Sequence, residues 1–246
     1  MKPLKKILFP NNKLDKSSEL FLKLKADFSY HSSSIEGSNV SEKDNENIIK
    51  LSLNTKIESI ATKYIGIYEH DEVIENFNCG NLYEYILETI DQELNEKELK
   101  IWHNILKKGT EWSKRYTKSY GDYKKQPNKI GNDIPTPQPW QVPELMQKLI
   151  LTSNEIKTIN DITKFHAQFE TIHPFLDGNG RIGRGIMFKQ CIQNNLFPII
   201  INNVSKKFYY DGLLHFQQTG KIDLLSSFFK EQGRFFEKKY EKYLCE

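Results

Sequence analysis

The chain has 246 residues, enough for one substantial domain with a helical extension. Hydrophobic residues make up 38%, aromatic residues 12% and charged residues 27%, which supplies a core and excludes wholesale disorder. Lys and Arg exceed Asp and Glu by only 35 to 32, so the net charge of +3 exerts little broad pull on a nucleic-acid backbone or an anionic membrane. Any positive site must be local.

The three cysteines, Cys79, Cys191 and Cys245, are odd in number, far apart and in no metal-ligand spacing, which indicates neither a disulfide framework nor zinc and fits a reducing cytosol. The opening MKPLKKILFPNN is too short in apolar residues for a secretory signal, and no run reaches the roughly 18 apolar residues of a membrane span. The expectation is therefore a cytoplasmic protein that engages neither membrane nor nucleic acid.

Helical periodicity dominates, and the fold class expected is all-α with one irregular flap. A first helix is predicted over residues 17–36, with Leu20, Leu24 and Phe28 on one face and Gly37 ending it. Ser41 with Asp44 starts a second helix carrying Ile48, Ile49 and Leu51. Residues 71–94 read as one or two helices, and Asn95 with Glu98 forms a capping pair for a helix that stops near Gly109. From 119 to 139, two glycines and four prolines break the period and predict a loop or small hairpin. Helices follow over 142–151, with Pro143 in the first turn, and up to His173, where Ile162, Phe165, Phe169 and Ile172 share one face. Three more are predicted over 181–194, 205–218 and 222–243. The domain reading is an N-terminal helical segment 1–60, a core 61–230 and a C-terminal helix end 231–246.

Residues 173–184, HPFLDGNGRIGR, combine a buried helix end, a small-residue turn and a new helix start. Gly178 and Gly180 let main-chain N–H groups approach a ligand closely, and a helix N-terminus behind them makes a concave anion site. Arg181 and Arg184 are three apart, so the spacing predicts a shared face reaching the same anion. Asp177 supplies a hard oxygen of the kind that holds Mg²⁺ together with substrate phosphates. His173, with an ordinary pKa of about 6.5, can accept a proton from a hydroxyl. Taken singly, a histidine at a helix end is ordinarily a packing residue, Asp-Gly-Asn-Gly an ordinary turn, and paired arginines a solvated face. Their conjunction within twelve residues is what points to a site.

That stretch resembles the signature of the Fic family, H-P-F-x-D/E-G-N-G-R-x-x-R, at every specified position. The resemblance implies an all-helical Fic-type bundle with a β-hairpin flap and transfer of AMP from ATP to a hydroxyl of a target protein. By the same resemblance His173 deprotonates that hydroxyl, Asp177 binds Mg²⁺, Gly178, Asn179 and Gly180 form the anion hole, and Arg181 and Arg184 address the phosphates. Phe175 is the expected buried anchor of the loop. The weaker likeness extends over residues 99–229, including Tyr209-x-x-x-Leu213. Its flap, which in such proteins pairs with the target segment by strand addition, falls at Gln126, Asn128, Lys129 and Ile130, with Pro127 removing one donor from that edge.

Ser32-Ser33-Ser34-Ile35-Glu36-Gly37 resembles the family's inhibitory motif S/T-x-x-x-E-G/N. The resemblance implies that Glu36, on the same helix face as Ser32, pairs with Arg184 and blocks the ATP γ-phosphate. Removal of AMP, transfer of another phosphate-linked group, and a nucleotide-binding adaptor without catalysis stay open as alternatives, as do self-modification and homo-oligomerisation. The target protein is not legible.

Overall fold

A computed structural model of the chain describes residues 3–51, 57–131 and 134–245. Among these the chain forms twelve α-helices and one two-stranded hairpin. In order they are α1 Leu4–Leu8, α2 Glu19–Ile35, α3 Glu42–Leu51, α4 Ile57–Lys63, α5 His70–Glu88, α6 Glu96–Lys107, α7 Glu111–Arg115, β1 Lys129–Ile130, β2 Ile134–Pro135, α8 Val142–Leu151, α9 Ile159–Ile172, α10 Asn179–Gln193, α11 Lys206–Thr219 and α12 Asp223–Leu244. The all-α expectation holds, flap included. Within residues 71–94 a single helix, α5, forms.

The long helices begin where local chemistry satisfies their free N–H groups. Ser18 Oγ accepts from Phe21 N at 3.2 Å, Ser41 Oγ from Asp44 N at 3.1 Å, and Asn95 Oδ1 from Glu98 N at 3.0 Å. Glu98 does not return the bond; its carboxylate accepts from Tyr85 Oη at 3.1 Å. Thr158 and Asp161 form a reciprocal capping box that starts α9.

The bundle is built around α10, fourteen of whose fifteen residues are buried. It packs against α9, α5, α2 and α6, while α12 lies against α9 and α11. The sequence pattern assigns α10 one inward face, through Ile182, Met187 and Cys191, yet Arg181, Arg184, Lys189 and Gln190 are buried as well. Three of those polar chains find partners elsewhere in the bundle, Lys189 Nζ donating to the Thr89 and Ile90 carbonyls beyond the end of α5, whereas both amide atoms of Gln190 are buried without one. A smaller cluster of Val40, Ile48, Ile60, Tyr64 and Val73 seats α3 and α4 on α5. Among the described residues no helix is long and apolar enough to cross a membrane.

Candidate active site

α9 ends because His173 takes a left-handed conformation, φ 50° and ψ 59°, with its N–H still bonded to Phe169 O at 3.0 Å. The turn aims its ring into a cleft. His173 Nδ1 lies 3.2 Å from Glu170 O, a carbonyl that can only accept, so Nδ1 carries the proton and the Nε2 lone pair is left free. Burial pushes the imidazole down to about 4, against the bond to Glu170 O, and keeps the ring neutral at pH 7.

The loop after His173 is braced from several sides. Phe175 is fully buried, stacked on His103 at 4.5 Å between ring centres and tilted against Tyr123. The buried Asn179 side chain accepts from Phe175 N and donates to Phe175 O, both at 2.8 Å. Asn179 therefore closes the loop with its side chain and can serve an anion only through its main chain. Gly178 carries φ 84°, the left-handed cap that begins α10, and a Cβ there would lie 3.0 Å from Leu106.

The two signature arginines part company. Arg184 faces the cleft that holds His173, and its bonds go to α2: Nε donates to Ser32 Oγ at 2.9 Å, and Nη2 to Ser32 O at 2.8 Å and Glu36 Oε1 at 2.7 Å. Arg184 Nη1 is buried without a partner. Arg181 turns instead to a smaller cavity of about 240 Å³, bonded to Glu75 and 3.7 Å from Asp177 Oδ1. The common anion that their spacing predicts is thus divided by the Glu36 carboxylate, which borders both cavities.

That carboxylate rests on the first turn of α10. A Cβ on Gly180 would come within 2.2 Å of Glu36 Oε1, so only glycine admits the approach. The α10 N-terminus, with unpaired N–H groups and the positive end of the helix dipole, favours an anion at this point. Burial pushes the Glu36 carboxyl up, but Arg184 and then Arg181 outweigh it and hold the group below its ordinary value. Its direction is set by a Schellman turn, in which Ser38 N bonds Ser33 O at 3.2 Å and Gly37 N, at φ 97°, bonds Ser34 O at 3.1 Å. Tyr210 Oη adds a bond to Ile35 O at 3.1 Å.

Asp177 stands on the Arg181 side. Burial pushes its carboxyl up, yet Lys107 and then Arg181 hold it well below the ordinary carboxylate range, so it presents ionised oxygen. Such a carboxylate, 46% exposed, fits Mg²⁺ held jointly with phosphates. Its main-chain oxygen accepts from His103 Nε2 at 3.2 Å, while His103 Nδ1 accepts from Gly121 N at 3.0 Å. His103 is pushed down to about 4, first by burial and then by Lys107, so it stays a neutral spacer.

The flap lies slightly later than expected. Lys129 pairs with Pro135 and Ile130 with Ile134, and both β1 residues border the His173 cleft, about 550 Å³ in volume. Pro127 falls before the paired edge and so removes no donor from it, and Gln126 is exposed outside the hairpin. The Asn128 side chain donates to Phe175 O at 2.7 Å and accepts from Lys124 Nζ at 2.7 Å, tying the flap to the loop. Sequence reasoning missed Glu75, Lys107, His103 and Glu170. His103 and Lys107 share a face of α6, but nothing local marks the others.

Residues 93–191 match the family model described as Fic/DOC family. Over that segment the chain is similar to the Fic/DOC family. Over 80 residues it is 36% identical to a probable protein adenylyltransferase of Aquifex aeolicus, a match covering 31% of this chain and 25% of that protein. Over 98 residues it is 32% identical to the protein adenylyltransferase Fic of Drosophila erecta, covering 38% and 20%. The chain therefore matches a quarter or less of the length of these curated relatives. Among solved structures, a Fic domain containing signaling protein from Bacteroides thetaiotaomicron superposes with a TM-score of 0.74 at 18% identity, covering 90% of this chain and 86% of that one. Fic-1 from C. elegans gives 0.72 at 16% identity, covering 97% and 69%. At such identities these likenesses speak for the Fic fold alone.

Proposed function

We propose that this chain is a protein adenylyltransferase that moves AMP from ATP to a hydroxyl of a target protein, held in check by Glu36 on Arg184. The observation that carries the reading is a neutral His173 with a free Nε2 lone pair, in one cleft with the α10 N-terminus and Arg184. Nε2 takes the proton of the target hydroxyl. The hydroxyl oxygen then bonds to the α-phosphorus as the bond to the bridging oxygen breaks and pyrophosphate leaves. The first turn of α10 and Arg184 meet the phosphate charge, and Lys129 and Ile130 supply the strand edge for the target segment. Asp177 would hold Mg²⁺, which supplies charge neutralisation on the polyphosphate.

Glu36 occupies the place a phosphate would take on α10, which supports the inhibitory assignment of Ser32, Glu36 and Gly37. In this reading catalysis belongs to the core 61–230 and restraint to the segment 1–60. The test incubates the Glu36→Gly variant and cell lysate with ATP labelled at the α or the γ phosphate. Label carried only from the α position is expected, and label from the γ position would replace AMP transfer with phosphotransfer.

A further inference from the structure

Two cations flank Asp177, and both are buried: the Lys107 side chain is 1% exposed and that of Arg181 6%. One carboxylate cannot balance two buried positive charges. The second comes from Glu75 of α5, outside residues 93–191, whose Oε1 bonds Lys107 and whose Oε2 bonds Arg181. Lys107 also bonds Asp177 Oδ2, so Glu75, Lys107, Asp177 and Arg181 close a four-membered ring of zero net charge. Lys107 lies over the Trp112 ring at 4.9 Å, and Asn78 Nδ2 ties the end of α6 to α5 through Leu106 O at 3.0 Å and Lys108 O at 2.8 Å. The ring is therefore held at a fixed distance from α5.

We propose that Glu75 is a positioning residue of the nucleotide site: by sharing Lys107 and Arg181 with Asp177, it leaves part of the Asp177 charge for a divalent cation. This inference rests on the Mg²⁺ and ATP reading given above. Without the Glu75 charge, both cations turn their full charge on Asp177, and the site carries one more positive charge. A divalent cation then meets a saturated carboxylate, whereas a bare polyphosphate meets a more positive cavity. The two effects run in opposite directions. A purely structural role would weaken both kinds of binding together.

The experiment compares Glu36→Gly with Glu36→Gly/Glu75→Gln and Glu36→Gly/Glu75→Asp by calorimetry, with thermal melts to verify folding. Inorganic pyrophosphate in chelator probes the metal-free site, and titration of Mg²⁺ at fixed ATP probes the metal. For Glu75→Gln, pyrophosphate is expected to bind tighter by about fivefold, and the Mg²⁺ needed for half-saturation to rise by about fivefold. Glu75→Asp keeps the charge but, one methylene shorter, meets only one of the two cations. It should give the same split at smaller size and carries the test should the Gln variant not fold. Parallel losses, or no change in either titration, would overturn the positioning role while leaving the nucleotide reading intact. A Glu36→Gly parent that binds no ATP at any Mg²⁺ concentration would overturn both.

Discussion

Replacing Glu36 with glycine removes one of three contacts that α2 makes with Arg184, and the structure bounds the effect. The Arg184 side chain is 4% exposed and that of Glu36 32%, so the pair is neither fully buried nor a surface pair. Breaking a buried pair from one side costs about 3–5 kcal/mol, and an exposed pair contributes about 0–1 kcal/mol. With two bonds to Ser32 remaining on the guanidinium, about 2 kcal/mol is the reasonable share of the carboxylate. At about 1.4 kcal/mol per factor of ten, that converts to roughly thirtyfold easier access of phosphate to Arg184 and α10. Glu36 has φ −81°, an ordinary backbone angle at the end of α2, so glycine there costs well under about 1 kcal/mol of helix stability.

The assay is the initial rate of α-labelled AMP incorporation at saturating ATP and Mg²⁺. Glu36→Gly should exceed the wild type by at least about tenfold. Adding His173→Ala should return the rate to background, since the base is lost while the phosphate cradle remains. Arg184→Ala should not reproduce the release, because it removes the phosphate contact along with the restraint. Equal rates for the wild type and Glu36→Gly would refute the reasoning and leave the Ser32 to Gly37 turn as an ordinary helix end.

Two further variants test the surroundings of the site. Burial pushes the Glu170 carboxyl up from 4.5 to about 8, so the unfolded chain releases a proton that the folded chain keeps, and stability is lost as pH rises between those values. Glu170→Gln should therefore gain about 2–4 kcal/mol on the wild type between acid pH and pH above 8, read from denaturant midpoints across that range; parallel pH profiles would exclude a neutral Glu170. Asn179→Ala leaves Phe175 N without its partner in a buried loop, while Phe175 O keeps the Asn128 amide, at about 1–3 kcal/mol and a melting temperature lower by about 3–9 °C. An unchanged melt would show that Asn179 does not brace the loop.

What the sequence discloses is what lies close together in it. Every group of the 173–184 loop sits within twelve positions, so type and spacing suffice to recognise it. The capping residues Ser18, Ser41 and Asn95 are equally local, and the helices they begin follow the predicted course. Helices α1, α4 and α7, with five to seven residues each, are too short for a period to emerge. Glu75 stands 106 positions from Arg181, and Lys107 stands 70 from Asp177, so no spacing rule connects them. Their pairing also explains why the two signature arginines diverge: three-residue spacing fixes where two side chains start, whereas the carboxylates that reach them decide where they end.

The same long-range packing limits how Arg184 could be released in the proposed brake. Ser29 of α2 donates to Asn76 O at 2.5 Å, Asn45 Nδ2 donates to Ala26 O at 2.9 Å, and Asp27 accepts from Tyr240 and from Lys239, the latter at 2.5 Å. Leu20, Phe21, Leu24 and Phe28 are all in the main core. Exposing four such side chains costs about 6–12 kcal/mol, comparable with the whole stability of a typical domain. Lifting α2 away would thus nearly unfold the protein. Glu36, by contrast, stands one residue beyond the last helical position, with a half-exposed side chain and the open conformation of Gly37 after it. A turn of that side chain breaks a single contact at about 2 kcal/mol, which makes it the cheaper route by which Arg184 can exchange a carboxylate for a phosphate.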